Sequence, residues 1–87
     1  MATVFIPVAM RPLVNHQSSI RVDAPTVRLL LAALNETYPG VHERMLPNGE
    51  LAPGIAVVIN GSVSPSGLAT RLHEQDEVHF LPAIGGG

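Results

Sequence analysis

Asp76-Glu77-Val78-His79-Phe80-Leu81-Pro82-Ala83-Ile84-Gly85-Gly86-Gly87 joins a strand to a tail. Val78 and Phe80 fall on one face and His79 and Leu81 on the other, the two-residue period of an extended chain. Pro82 cannot donate to a ladder and stops the strand, and three glycines close the sequence. Glycine has no side chain, so such a tail threads a slot too narrow for any other residue. Five residues follow Pro82, an extended reach of roughly 17 Å. The expected reactive group is the Gly87 α-carboxylate, which is unhindered by a β-carbon and ionised at neutral pH because chain-terminal carboxyls titrate near ~3.3–3.7. A carboxylate is inert toward nucleophiles and needs activation by a partner. Gly85 and Gly86 give that partner access.

The rest of the chain supplies a body for this end. Its 87 residues suit one domain. Hydrophobic residues make up 46% and charged residues 14%, with two phenylalanines, one tyrosine and no tryptophan, so the core is aliphatic. The net charge is −2 and the cations are five scattered arginines, Arg11, Arg21, Arg28, Arg44 and Arg71; nucleic acid is not an expected partner. No apolar run approaches the ~20 residues that span a bilayer, and the Met1-Ala2-Thr3-Val4-Phe5-Ile6-Pro7 start lacks a secretory pattern, which points to the cytoplasm. Cysteine and lysine are both absent. The chain therefore has no disulfide, no thiolate, no Schiff-base amine and no side-chain amine for conjugation to itself.

Working outward from the last strand, residues 3–8 are rich in β-formers, with Pro7 fraying the end. Residues around Arg11-Pro12 and Asn15-His16 are turn-prone. Ser19-Ile20-Arg21-Val22 alternates and pairs back on the first strand as a hairpin. Asp23-Ala24-Pro25-Thr26 signals a helix start, with Thr26 as N-cap or Pro25 at the first helical position. Val27, Leu30, Leu31 and Leu34 then form an apolar stripe, and Tyr38-Pro39-Gly40 ends the helix. Residues 41–54 read as one helical turn and a loop. Ile55-Ala56-Val57-Val58-Ile59 is a buried strand, Asn60-Gly61 a tight turn, and a short strand follows around Val63. Residues 65–72 read as an irregular turn. The order predicts an α+β fold: a mixed four- to five-stranded sheet with one main helix on one face.

Side-chain chemistry is sparse. His42-Glu43-Arg44-Met45-Leu46 lacks the second histidine of a zinc helix, so no metal site is expected. His16, His42 and His73 read as solvated loop residues, and the serines as turn residues. Asp76 and Glu77 read as two acids beginning an exposed strand. If Val4, Ile20, Ile55, Val57, Val78 and Phe80 face the helix, then Phe5, Arg21, Ala56, Val58, His79 and Leu81 share the other face. That face, with no second helix to cover it, is a candidate docking surface.

Asn60-Gly61, then Asp76-Glu77-Val78-x-Phe80-x-Pro82, then a terminal Gly86-Gly87 resemble the ubiquitin-like sulfur carriers. That family includes the small subunit of molybdopterin synthase and the thiazole-forming sulfur carrier of thiamin synthesis. The resemblance extends over the element order of the whole chain and implies the β-grasp fold, with residues 1–82 as one domain and residues 83–87 as a flexible tail. It implies that the first and last strands lie parallel in mid-sheet, so that the tail leaves near residues 7–12. It also implies a mechanism. A ubiquitin-activating-like enzyme uses ATP to adenylate Gly87, a sulfur donor converts the adenylate to a thiocarboxylate, and the sulfur passes to an acceptor biosynthetic enzyme. The chain itself would be no enzyme, would bind no cofactor and would be a monomer when free. Phe5, Val58 and Leu81 would form the partner surface together with Pro82, tuned by Arg21 and His79.

Gly67-Leu68-Ala69-Thr70, the loop over residues 45–54 and Leu81-Pro82-Ala83-Ile84 look most like the carriers that serve cysteine synthesis. Those often have alanine before the diglycine, where this chain has Gly85. Two alternatives remain: a ubiquitin-like modifier conjugated through Gly87, and a regulatory subunit of a synthase of the molybdopterin type.

Overall fold

The computed structural model describes residues 1–82. The tail expected at residues 83–87 lies outside the described residues. Five strands form one mixed sheet: β1 (Ala2–Phe5), β2 (Ser19–Val22), β3 (Ile55–Ile59), β4 (Ser62–Val63) and β5 (Glu77–Pro82), in spatial order β2-β1-β5-β3-β4. β1 and β5 run parallel, Val4 opposite Val78 and Phe5 opposite His79. The remaining pairings are antiparallel. This is the β-grasp arrangement, with the last strand at the centre of the sheet.

Helix α1 (Val27–Thr37) begins where its sequence signals it. Thr26 is the N-cap, so Pro25 precedes the helix instead of holding its first position, and the Thr26 Oγ1 accepts from the Leu29 N–H at 3.2 Å. Val27, Leu30, Leu31 and Leu34 are all buried, each side chain contributing about 1.5–3 kcal/mol relative to exposure. They meet Ala2, Val4, Val57, Val78 and Phe80 from the sheet in one cluster, with Ile20, Val22, Ile55 and Ile59 packed at its margin. The helix ends at Tyr38, and Asn35 Oδ1 accepts from the Gly40 and His42 N–H groups, tying α1 to the short helix α2 (Val41–Met45).

Three segments differ from the sequence reading. β1 stops at Phe5, and Val8–Val14 is a 3-10 helix rather than a turn-prone loop. Met10 and Val14 enter the core from this segment, and its first turn is closed by the Met10 N–H, which donates to the Pro7 carbonyl at 2.9 Å. His42 lies in α2 rather than in a loop. A second 3-10 turn, Gly67–Ala69, places Leu68 in the core within the stretch read as irregular.

Candidate docking face and tail exit

Strand alternation sets the site. With Val4, Val57, Val78 and Phe80 turned to the helix, the residues between them turn outward, and pairing aligns them in rows. One row crosses the whole sheet: Ser19, Phe5, His79, Val58 and Val63 are successive partners. Phe5 and His79 stack face to face, ring centroids 4.3 Å apart and planes inclined by 4°. The row toward the end of β5 pairs Leu81 with Ala56, and Leu81 is 47% exposed.

The residues named from the sequence do not contribute equally. Phe5, His79 and Leu81 come together. Val58 lies beside His79 but is only 8% exposed, so it supports the face rather than presenting contact area. Flanking strands on both sides and neighbours His79 and Val63 in its row account for that burial. Arg21 is on the same face, yet in the row Arg21–Thr3–Glu77, on the far side of Phe5 from Leu81. There it acts on Glu74, whose carboxyl is held below its usual range chiefly by the Met1 ammonium at 2.6 Å and, more weakly, by Arg21. Pro82 is opposite Ile55 at the end of β5. Gly85, Gly86 and Gly87 lie outside the described residues.

Beside the end of β5 a largely apolar groove of about 460 Å³ is walled by Phe5, Pro7, Val8, Arg11, His79 and Leu81, among others. The end of β5 therefore lies next to Pro7, Val8 and Arg11, beside the segment where the family resemblance implies that the tail leaves. Arg11 was not singled out from the sequence. Its Nε donates to the Ile6 carbonyl at 3.1 Å, a placement that depends on the unforeseen 3-10 helix.

The opposite end of β5 is fixed by a clamp that the sequence reading missed. Asp76, expected to begin an exposed strand, is 8% exposed and precedes β5. Its carboxylate accepts from the His73 N–H at 2.8 Å and from Asn60 Nδ2 at 2.9 Å. These bonds, the backbone one first, hold its carboxyl below the usual range against the opposing effect of burial. Asn60 Oδ1 in turn accepts from the Glu77 N–H at 2.8 Å. Asn60 and Gly61 have φ of 50° and 88°, the two positive angles of a two-residue hairpin loop between β3 and β4. The turn residue thus also sets the register of β5. The signal was present in the two separate motifs Asn60-Gly61 and Asp76-Glu77, whose contact no spacing rule reveals.

Among the described residues there is no group of three or more His, Cys, Asp or Glu side chains arranged to hold a metal ion. No helix among them is long and apolar enough to cross a membrane.

A family model described as the ThiS family matches residues 5–87. The chain belongs to that family. Sulfur carrier protein CysO of Mycobacterium tuberculosis is 32% identical over 90 residues, covering 98% of this chain and 97% of that protein. Its crystal structure superposes with a TM-score of 0.86 at 30% identity, over 97% of this chain and all (100%) of the other. The Amycolatopsis orientalis BexX/CysO complex contains a chain with the same TM-score of 0.86 at 26% identity, each covered in full (100%). Small archaeal modifier protein 3 of Haloferax volcanii is 36% identical over 67 residues, 75% of this chain and 73% of that protein. These matches bear out both the ubiquitin-like sulfur-carrier family and its β-grasp fold, with a likeness to CysO along nearly the whole chain.

Proposed function

We propose that this protein is a sulfur carrier and not itself an enzyme, working as a co-substrate through the carboxylate of Gly87. An activating enzyme adenylates that carboxylate with ATP, so that pyrophosphate leaves. A sulfide-level donor then attacks the acyl carbon, AMP leaves, and a thiocarboxylate results. The carrier delivers this sulfur to a biosynthetic enzyme, with cysteine or a related thio-metabolite as the product. The observation that carries the reading is the near-full-length likeness to CysO, a protein named as a sulfur carrier. The geometry is consistent with it. β5 ends beside a largely apolar face built on Phe5, His79 and Leu81, so a partner seated there would lie next to the point where residues 83–87 begin. The CysO of Amycolatopsis orientalis has been crystallised in complex with BexX, which supports a protein partner for this chain.

A second reading, conjugation to other proteins through Gly87, is favoured by the likeness to small archaeal modifier protein 3. One experiment separates the two. The protein is incubated with ATP, a cognate activating enzyme and a sulfur source, and its intact mass is measured beside that of a chain lacking Gly87. Exchange of one oxygen for sulfur, absent in the shortened chain, is the expected result. Adducts on other proteins in place of that exchange would favour the modifier, and no change of either kind would overturn both readings.

A further inference from the structure

An asparagine stands directly before a glycine twice in this chain, at Asn48-Gly49 and at Asn60-Gly61. Both asparagines are exposed, and both glycines take a positive φ, 79° at Gly49 and 88° at Gly61. A β-carbon on either glycine would meet no atom within 4 Å, so each glycine nitrogen is open to attack on the side chain before it. Asn15 and Asn35 precede His16 and Glu36 instead, whose side chains crowd that approach. The two carboxamides have opposite surroundings. Asn60 Oδ1 accepts from the Glu77 N–H at 2.8 Å, and Asn60 Nδ2 donates to Asp76 Oδ1 at 2.9 Å. Among the described residues the asparagine carboxamides with hydrogen-bond partners are those of Asn35 and Asn60; that of Asn48 has none. The Gly49 N–H donates to the Leu46 carbonyl at 3.2 Å, the long limit for such a bond, in an exposed turn.

We propose that Asn48 is a site of spontaneous deamidation, and that the clamp at the start of β5 protects Asn60 from the same reaction. At Asn48 the Gly49 nitrogen gives its proton to solvent base and attacks Cγ. The new N–Cγ bond closes a five-membered succinimide, and the Cγ–Nδ2 bond breaks with Nδ2 leaving as ammonia. Water then opens the ring at one carbonyl or the other, giving aspartate or isoaspartate at position 48, with no change of oxidation state. Either product makes the net charge of −2 more negative by one unit. Isoaspartate also adds a carbon to the main chain, in the loop whose Gly49 carbonyl accepts from Arg28 Nη1 at 3.3 Å. At Asn60 the same ring closure has to turn the carboxamide away from both Glu77 and Asp76. Its product would set a second carboxylate against Asp76 and leave no amide N–H to donate. The bonds that fix the register of β5 thus also preserve the residue that makes them.

The test uses the full chain alone, without ATP or partner, so its result is independent of the carrier reading. The protein is held in mildly alkaline buffer, folded in one series and unfolded in guanidinium in the other. Cleavage after arginine releases residues 45–71, which contain both sites, and fragmentation in the mass spectrometer locates the amide-to-acid mass gain. In the folded chain position 48 should convert at nearly its unfolded rate and position 60 at least about tenfold more slowly, the effect of opening two hydrogen bonds before reaction. In guanidinium the two rates should converge. Asn48→Gln should remove the fast conversion, and raising the pH should speed it. Asp76→Ala should speed conversion at position 60 and leave position 48 unchanged; if that variant does not fold, the folded and unfolded rates of the natural chain decide. Equal rates at the two sites in the folded chain would overturn the protection by the clamp. A folded rate at position 48 as depressed as that at position 60 would overturn Asn48 as the reactive site.

Discussion

Replacing Asp76 with alanine should destabilise the fold far more than its place at a strand entrance suggests. The carboxylate accepts from the His73 N–H and Asn60 Nδ2 at 2.8 and 2.9 Å, and its residue is 8% exposed. Bonds to a charged acceptor are each worth about 1.5–3 kcal/mol, and their loss also leaves two donors without partners. Water reaches this partly exposed rim and recovers some of that, so the expected loss is about 2–4 kcal/mol. For a domain of this size it corresponds to a fall in Tm of about 10–25 °C, a large part of an overall stability of about 5–15 kcal/mol. Urea unfolding followed by circular dichroism measures it. The dependence on pH gives an independent check. The folded pKa of Asp76 lies below its ordinary value, so the unfolded chain takes up the proton first. The stabilisation is present in full above the unfolded pKa of about 3.9 and is lost as pH falls through the lower folded value. The gap between wild type and Asp76→Ala should therefore be constant near neutrality and close only in acid, below about pH 4. A double-mutant cycle with Asn60→Ala should show coupling of about 0.5–3 kcal/mol. A loss below about 0.5 kcal/mol, the level of an ordinary surface substitution, would refute the clamp.

Three further outcomes are expected. Leu81→Asp puts a charge on the outward face while leaving the core untouched; it should weaken binding to the activating enzyme at least tenfold, about 1.4 kcal/mol, with unfolding changed by less than about 1 kcal/mol. Unchanged binding in a titration would remove the docking role of that face. Thr26→Ala should cost about 1 kcal/mol through loss of the α1 cap, read by thermal unfolding. Leu30→Ala, at a side chain with 0% exposure, should cost about 3–5 kcal/mol by leaving a cavity, read by urea unfolding.

Most of the fold was legible because its signals are local. The period of two in residues 19–22, the β-branched apolar run over residues 55–59, the stripe Val27, Leu30, Leu31 and Leu34, and the Asn60-Gly61 turn each specify an element without reference to the others, and the strands at 19–22 and 55–59 match residue for residue. What escaped is non-local. Residues 8–14 carry a proline and mixed polarity, and only the core beneath Met10 and Val14 makes them helical. Asp76 reads as a surface acid until Asn60, distant in sequence, is found against it. The docking face was legible in outline because alternation assigns sides. It does not assign exposure, which is why Val58 carries the same weight as Leu81 in the sequence reading, nor position across the sheet, which is why Arg21 is grouped with His79 although its row lies on the far side of Phe5 from Leu81.

The parallel pairing of β1 with β5 has a consequence for the order of events in the life of the molecule. Four strands are made before β5, but none of them can close the sheet: β1 with β2 and β3 with β4 are two separate ribbons until β5 enters between them. Long-range pairing of this kind delays folding until the distant segment arrives. A chain cut short before Glu77 therefore has neither a closed core nor a Phe5–His79 stack to offer. Under the proposed function, recognition of the assembled face would amount to inspection for an intact final strand, and a partner that reads this surface would commit ATP only to molecules whose β5 is in place.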